Sequence, residues 1–332
     1  MESAKQVIVD HFGGPDVLKV VDAVIPSPGH GQLLVRVEAA GVLYGDIMRR
    51  TDRYLTPTSL PYAPGTEVAG TVAAMGPGVS TAAVGDRVLC RVASHGYSQY
   101  TLADATSALA LPDSIEFGEA TGLLAQGLTA YLLTHDAANL NGKSVFIEAA
   151  SGGVGMQMVQ MARAQGATFI AGSASSEEKR ELARRNGVDL MVSSVTPGWS
   201  HEVLEATHGL GLDVAYESSG AMFSELLKCL APFGTLVKFG RGVNENQTFD
   251  PSHLLGKNQS LRGFYLPGYF DQAHLPMIDV ASQALIDSVL RGELKVRVGH
   301  RFALNEAALA HHAIEGRLTT GKVVLEPWRL AE

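Results

Sequence analysis

Residues 149–155 read Ala149-Ala150-Ser151-Gly152-Gly153-Val154-Gly155, directly after an apolar run and before an apolar-striped stretch reaching about Gln165. A turn without large side chains lets backbone N–H groups approach a pyrophosphate, and a helix starting there favours the negative charge. Ser151, Gly152, Gly153, Val154 and Gly155 are therefore the expected contacts. Ala150 stands where a G-x-G-x-x-G turn has its first glycine, so the motif by itself also fits a plain tight connection. A second signal lies some twenty residues on. The next strand, expected over Thr168–Ala171, runs into Gly172-Ser173-Ala174-Ser175-Ser176 with no acid before Glu177. An acid there would hold the ribose 2′-OH of NAD, whereas hydroxyls from Ser173 and Ser175 with the cation of Lys179 suit a 2′-phosphate. Ser175 and Glu178 also fit a capping box, and Lys179 a solvated helix position. The missing acid tips the reading to NADPH.

The elements that must position this turn follow a change of rhythm near residue 120. Up to about Leu111 the sequence predicts short strands between Gly/Pro turns, at Val7–Asp10, Leu33–Ala40, Glu67–Met75, Arg87–Arg91 and Tyr97–Leu102. That spacing is the pattern of a barrel-like β domain. From about Gly122 strands alternate with helices, as in βαβ units on a parallel sheet. The strands expected there are Ser144–Glu148, Thr168–Ala171, Leu190–Ser193, Asp213–Glu217, Thr235–Phe239 and Ser260–Leu266. Six is the full count of a dinucleotide-binding sheet. A helix over Leu275–Arg291 and a strand–helix–strand ending at Lys322–Glu326 are read as returning to the first domain.

Composition bounds the class. A chain of 332 residues with 46% hydrophobic and 18% charged side chains has the make-up of a globular protein of two domains. Its 26 basic and 34 acidic residues leave a net charge of −8, which argues against nucleic acid as the main partner. Cys90 and Cys229 offer no disulfide framework and fit a reducing compartment. The first residues lack a signal-peptide apolar region, and no run approaches 18 apolar residues. A cytoplasmic location without membrane contact is the expectation.

The order of these parts resembles the medium-chain dehydrogenase/reductase superfamily, and within it the zinc-free, zeta-crystallin-like quinone oxidoreductases. The matching stretches are Phe12-Gly13-Gly14-Pro15-Asp16-Val17-Leu18, Pro64-Gly65-Thr66-Glu67-Val68-Ala69-Gly70, Val84-Gly85-Asp86-Arg87-Val88, Gln126-Gly127-Leu128-Thr129-Ala130-Tyr131 and the Ala149–Gly155 turn. The resemblance implies an α/β chain: a GroES-like β-barrel catalytic domain over 1–122 completed by 267–332, and a Rossmann doubly wound parallel sheet over 123–266. It also implies NADPH in the cleft between them. Thr129 and the segment with Phe264 and Leu266 match the family's nicotinamide-side contacts, and Phe239-Gly240-Arg241 resembles the stretch whose backbone passes the cofactor. Arg317 matches an arginine reaching the 2′-phosphate from the other domain, though a surface cation near a helix end explains it as well. Where relatives often carry a tyrosine for that phosphate, Ser194 retains one hydrogen bond.

Metal chemistry is not expected. The family's zinc-binding cysteine would fall at Leu43 and its histidine at Thr66, and neither side chain binds zinc. His311 and His312 are adjacent on a predicted helix and point to different faces. Without a Lewis acid, hydride addition favours a conjugated acceptor, whose charge spreads over an enolate or hydroquinone anion. Candidate donors are Tyr44 and Asp46, directly after a strand, and Tyr54 in the following loop; a phenol can donate to such an anion and be recharged by solvent. Each tyrosine also reads as a half-buried ring, Asp46 also as a structural acceptor, and Tyr97 as a pocket or strand-end residue. Many relatives have asparagine where this chain has Leu43, so either Tyr44 replaces it or the acceptor is more apolar. The readings that result are reduction of a quinone or other conjugated carbonyl, an enoyl reductase for an unsaturated ketone or thioester, and a non-catalytic NADPH-binding protein. The apolar sixth strand, at a sheet edge, points to a homodimer formed through it.

Overall fold

A computed structural model describes residues 2–242 and 248–330. The chain divides into two compact units, one formed by the residues up to Ala125 and those from Val296, the other by Gln126–Lys295. In chain order the first unit begins with β1 (Ser3–Ile8), β2 (Lys19–Val24), β3 (Gln32–Val42), α1 (Tyr44–Arg50) and β4 (Glu67–Met75). It continues through β5 (Arg87–Arg91), β6 (Tyr100–Asp104), β7 (Ala108–Ala110) and α2 (Phe117–Thr121). The second unit holds α3 (Leu128–His135), β8 (Ser144–Ile147), α4 (Gly153–Ala164), β9 (Phe169–Ala174), α5 (Glu177–Arg185), β10 (Leu190–Ser193) and α6 (Ser200–Ala206). It adds β11 (Leu212–Glu217), α7 (Phe223–Cys229), β12 (Leu230–Lys238), β13 (Ser260–Gly263) and α8 (Leu275–Leu290). The chain then completes the first unit with β14 (Val298–Ala303), α9 (Ala307–Glu315) and β15 (Lys322–Glu326). The expected return to the first domain at residue 267 is thus too early. The helix α8 packs on α3 and stays with the second unit.

In the first unit β1 and β2 form a two-stranded antiparallel ribbon, and the other strands form one sheet in the order β14-β15-β3-β4-β5-β7, with β6 also on β3. The long strand β3 is the hub. One edge pairs with β4 (Val35 opposite Val72), while the other is shared between β6 (Arg36 opposite Tyr100) and β15 (Val42 opposite Val323). Its run of apolar side chains sits in a core with Val7, Val68, Val88, Tyr97 and Leu325, each at most 3% exposed. This sheet places the start of α1 immediately after β3.

The second unit is a six-stranded parallel sheet in the order β10-β9-β8-β11-β12-β13, the 3-2-1-4-5-6 order of a doubly wound dinucleotide fold. Its inner strands are flanked by helices and carry near-continuous apolar runs, as parallel strands buried on both faces require. Phe146, Ala171, Val192, Ala215 and Leu236 are all fully buried. Several strand ends differ from expectation, two of them next to the expected cofactor contacts. β9 runs on to Ala174 because Ser193 of β10 pairs opposite it, and β13 stops at Gly263, Leu266 then opening a 3-10 turn with Pro267.

Candidate functional site

The order reversal of the sheet lies between β8 and β11, the crevice where such folds bind ligands. The turn after β8 is tight: Ala149 takes a left-handed φ of 51°, and α4 starts at Gly153 with Gly152 as its cap residue. No side chain caps this helix, so the first-turn amides of Gly153, Val154 and Gly155 keep unused donors. Ser151 is buried inside the turn and Gly155 is buried under it. A Cβ on Gly155 would lie 2.4 Å from the Ala149 carbonyl oxygen. At Gly153 the added carbon would meet the Gln126 side chain, whose Oε1 is buried and has no hydrogen-bond partner. Unused amides and an orphaned amide oxygen around a side-chain-free turn fit a dinucleotide phosphate and its ribose hydroxyls.

At the end of β9 the residues expected to face a 2′-phosphate separate. Ser173 is fully buried inside the strand, donating to Met222 Sδ at 3.1 Å and accepting from the Ala149 amide at 3.4 Å. It therefore braces the glycine turn from beneath and leaves the set of direct contacts. The α5 cap is Ser176, which accepts from the Lys179 amide, in place of the expected Ser175 box. Ser175 and Lys179 stay partly exposed near the strand end, and Ser194 binds there through its amide to the Ala174 carbonyl at 3.1 Å. Sequence reasoning missed Arg180, whose Nη1 reaches the same carbonyl at 3.5 Å. It also missed that Glu177, the acid just past the strand, is clasped by Arg180 and Arg184 at 2.7 Å each. The acid is thereby neutralised locally.

Two buried carboxylates flank the crevice and were equally missed. Glu148, one residue past β8, accepts from the Ser218 amide (2.5 Å) and hydroxyl (3.0 Å), from the Ser219 amide (3.0 Å), and from the Ser219 hydroxyl. Glu217, the last residue of β11, accepts from the Gly220 amide and from Lys238 Nζ at 2.5 Å. Burial and the neighbouring Glu148 carboxylate push the Glu217 carboxyl up, against the pull of Lys238. Together the acids fasten the loop 218–220, and the loop after β12 packs directly on it: a Cβ on Gly240 would lie 2.5 Å from the Ser218 carbonyl oxygen. Phe239 and Gly240 are partly exposed there and Arg241 exposed. Phe264 is buried with its amide on the Lys238 carbonyl at 2.9 Å, and Leu266 and Thr129 are partly exposed. Only the composition pattern of an acid ending each of two neighbouring strands could have pointed to this pair.

In the first unit Tyr44 opens α1 with 39% of its surface exposed. Tyr54 folds back over the same helix, its ring 3.4 Å from the point a Gly45 Cβ would occupy and 3.9 Å from the Arg49 guanidinium. Arg317 lies exposed just past α9, in a left-handed conformation. Asp46 does not belong with the reacting groups. It is 2% exposed, accepting from the Leu43 amide at 2.9 Å and from the Tyr97 hydroxyl at 3.0 Å, so it caps α1 and anchors a core phenol. Tyr97, fully buried, also meets His311 Nε2 at 3.1 Å. Burial raises the Asp46 carboxyl to about 6 and lowers His311 to about 3.

The raised carboxyl has a consequence for stability. The folded state binds the Asp46 proton more tightly than the unfolded chain does, so its contribution is fully present below about pH 4 and is lost as pH rises through 6. Asp46→Asn keeps the acceptor and cannot ionise. Relative to the parent, it is expected to gain about 2–3 kcal/mol between pH 4 and pH 7, read by denaturant unfolding at both pH values. A difference that does not change with pH would show Asp46 to be ionised without cost.

Among the described residues no three His, Cys, Asp or Glu side chains come together as a metal site. Leu43 and Thr66 bring no ligand atom of the kind zinc takes. No described helix is long and apolar enough to cross a membrane.

Known proteins share this architecture from end to end. Residues 29–143 match the family described as alcohol dehydrogenase GroES-like domain, and residues 153–282 the one described as zinc-binding dehydrogenase. A probable quinone oxidoreductase of Schizosaccharomyces pombe is 36% identical, covering 96% of each chain. A 2-haloacrylate reductase of a Burkholderia species is 34% identical over 96% of this chain and 98% of its own. The structure of a mycobacterial protein complexed with NADPH superposes with a TM-score of 0.90 at 32% identity, covering 98% of this chain and all of that one.

Proposed function

Because this chain belongs to the zeta-crystallin-like quinone oxidoreductase family of the medium-chain dehydrogenase/reductase superfamily, we propose that it is an NADPH-dependent quinone reductase working without a metal. The observation that carries this reading is the uncapped glycine turn at the sheet's order reversal, with the Gln126 oxygen left unsatisfied beside it. The first-turn amides of α4 would hold the pyrophosphate, with Ser175, Lys179 and Ser194 around the 2′-phosphate and Arg317 a further candidate for it. Thr129, Phe239, Gly240, Arg241, Phe264 and Leu266 would line the nicotinamide side.

When bound, NADPH supplies a hydride. The protein's own task is to hold the acceptor and to deliver one proton, since a quinone that gains a hydride becomes a hydroquinone monoanion. Tyr44 is the exposed phenol of the first unit, and the Tyr54 ring rests over α1 at Gly45 and Arg49. The Tyr44 hydroxyl gives its proton to the anion's oxygen and takes one back from solvent. Leu43, where many relatives carry asparagine, offers no hydrogen bond to the acceptor's oxygen, and Tyr44 is the nearest group to take over that contact.

The test is NADPH consumption with a panel of small quinones set against enones and enoyl thioesters. Fast quinone turnover supports the reading, and Tyr44→Phe is then expected to lower kcat about 100-fold with NADPH affinity retained. Turnover of enones alone would replace it by the enoyl reductase reading, for which the relative acting on haloacrylate gives precedent. NADPH binding with no turnover of either panel would point to a non-catalytic role.

The reading extends to a cytoplasmic homodimer. β13 ends the parallel sheet with one edge unpaired among the described residues, and Leu261 on it is 41% exposed. Pairing of that edge with a second copy would remove the liability. Light scattering that returns a single chain mass at micromolar concentration would reject the dimer.

A further inference from the structure

The cations of this acidic chain are mostly engaged. Among the described residues, those with neither an ion pair nor a hydrogen bond from the side chain are Lys19, Lys295, Arg297 and Arg49, and the first three are exposed while Arg49 is partly buried. Arg49 is held in place all the same. Its guanidinium lies over the Tyr54 ring, 3.9 Å from the centroid, and the ring itself rests over Gly45 one helical turn earlier. Stacking uses the face of a guanidinium and leaves its in-plane N–H donors unspent. Arg53, four residues on and partly buried, donates only Nε to Thr51 Oγ1 at 3.1 Å and has no carboxylate partner.

The acids that could neutralise this pair do not. Asp46 is turned into the core on the Leu43 amide and Tyr97 hydroxyl, Glu315 is taken by the buried Arg50 at 2.5 Å, and the exposed Asp52 forms no ion pair. Arg49 over the Tyr54 ring, and Arg53 next to Tyr54 in the chain, thus have no carboxylate partner, on the segment whose Tyr44 is exposed. A fixed planar fork with spare donors is the arrangement that captures a carboxylate in two parallel hydrogen bonds.

We propose that Arg49, aided by Arg53, forms an anion-selecting subsite, so that the preferred acceptor is a conjugated carbonyl bearing a carboxylate. This rests on the reductase reading above and narrows its substrate class. Arg49 binds the substrate's fixed charge, and Tyr44 remains the proton donor. The stacked Tyr54 keeps the fork from swinging into solvent and is a positioning residue.

The experiment compares NADPH oxidation with benzoquinone and with a carboxylated benzoquinone, in the parent protein and in Arg49→Gln and Arg49→Lys. The parent is expected to favour the carboxylated acceptor in kcat/KM. That preference should fall about tenfold or more in Arg49→Gln, and less in Arg49→Lys, which keeps the charge and loses the fork. Added salt should depress kcat/KM for the carboxylated quinone alone in the parent protein, a result independent of how the variants fold. Equal kcat/KM for both quinones with no salt effect would overturn the subsite and leave the reductase reading standing. Turnover of neither quinone would overturn the reductase reading itself.

Discussion

Lys322→Met is expected to lower the stability of the first unit by about 3–5 kcal/mol, a fall of roughly 10 °C in its melting temperature. Lys322 and Glu67 are both at most 1% exposed and form an ion pair in the core, far apart in sequence. Lys322 Nζ also donates to the Val42 carbonyl at 3.4 Å, and the second Glu67 oxygen accepts from the Ala125 amide at 3.0 Å. Removing the cation leaves a carboxylate without water and without its counter-charge, which is the costly half of a buried pair. Replacing both by apolar residues of similar volume removes the desolvation along with the attraction. Glu67→Leu combined with Lys322→Met is therefore expected to recover most of the loss. Calorimetry on the three variants checks both statements, and a single-variant loss under 1 kcal/mol would mean water reaches the pair.

Gly155→Ala is expected to raise the NADPH dissociation constant about 100-fold. The new methyl carbon would stand 2.4 Å from the Ala149 carbonyl oxygen and 2.8 Å from the Ala150 Cα, both backbone atoms that no rotamer change can move. Relief must come from α4 moving off the strand, which displaces the amides meant for the pyrophosphate. About 3 kcal/mol of lost fit corresponds to that hundredfold. Gly256→Ala, where an added carbon meets nothing within 4 Å, is the control and is expected to bind NADPH like the parent. Fluorescence titration with NADPH reads both, and equal affinities would mean that the turn does not carry the cofactor.

Much of this architecture was legible because it rests on local rules. Alternating apolar runs and Gly/Pro punctuation marked β4 and β5 to the residue, and the switch to helix-separated strands marked the parallel sheet in full. The glycine turn was legible for the same reason, since its chemistry is carried by consecutive residues. What escaped depended on partners distant in sequence. Whether Ser173 faced a ligand or the core was decided by how far β10 pairs along β9, and the fate of α8 by its packing on α3. Asp46 looks the same in sequence whether it reacts or caps; the buried Tyr97 hydroxyl decided it. The clasp of Glu148 on residues 218–219 joins segments some seventy positions apart, and no spacing rule could bring them together.

The first unit is interrupted, and this orders its assembly on the ribosome. Its hub strand β3 receives β15 only after all of the second unit has been synthesised, because β15 is the last strand of the chain. Until then the C-terminal half of one β3 edge is open and Glu67 lacks its cation. The second unit is continuous from Gln126 to Lys295 and needs nothing that emerges later. The half of the protein begun first is thus finished last. A chain ending shortly before Val298 would contain all of the nucleotide fold while its first unit still lacked β14 and β15, leaving part of a β3 edge unpaired.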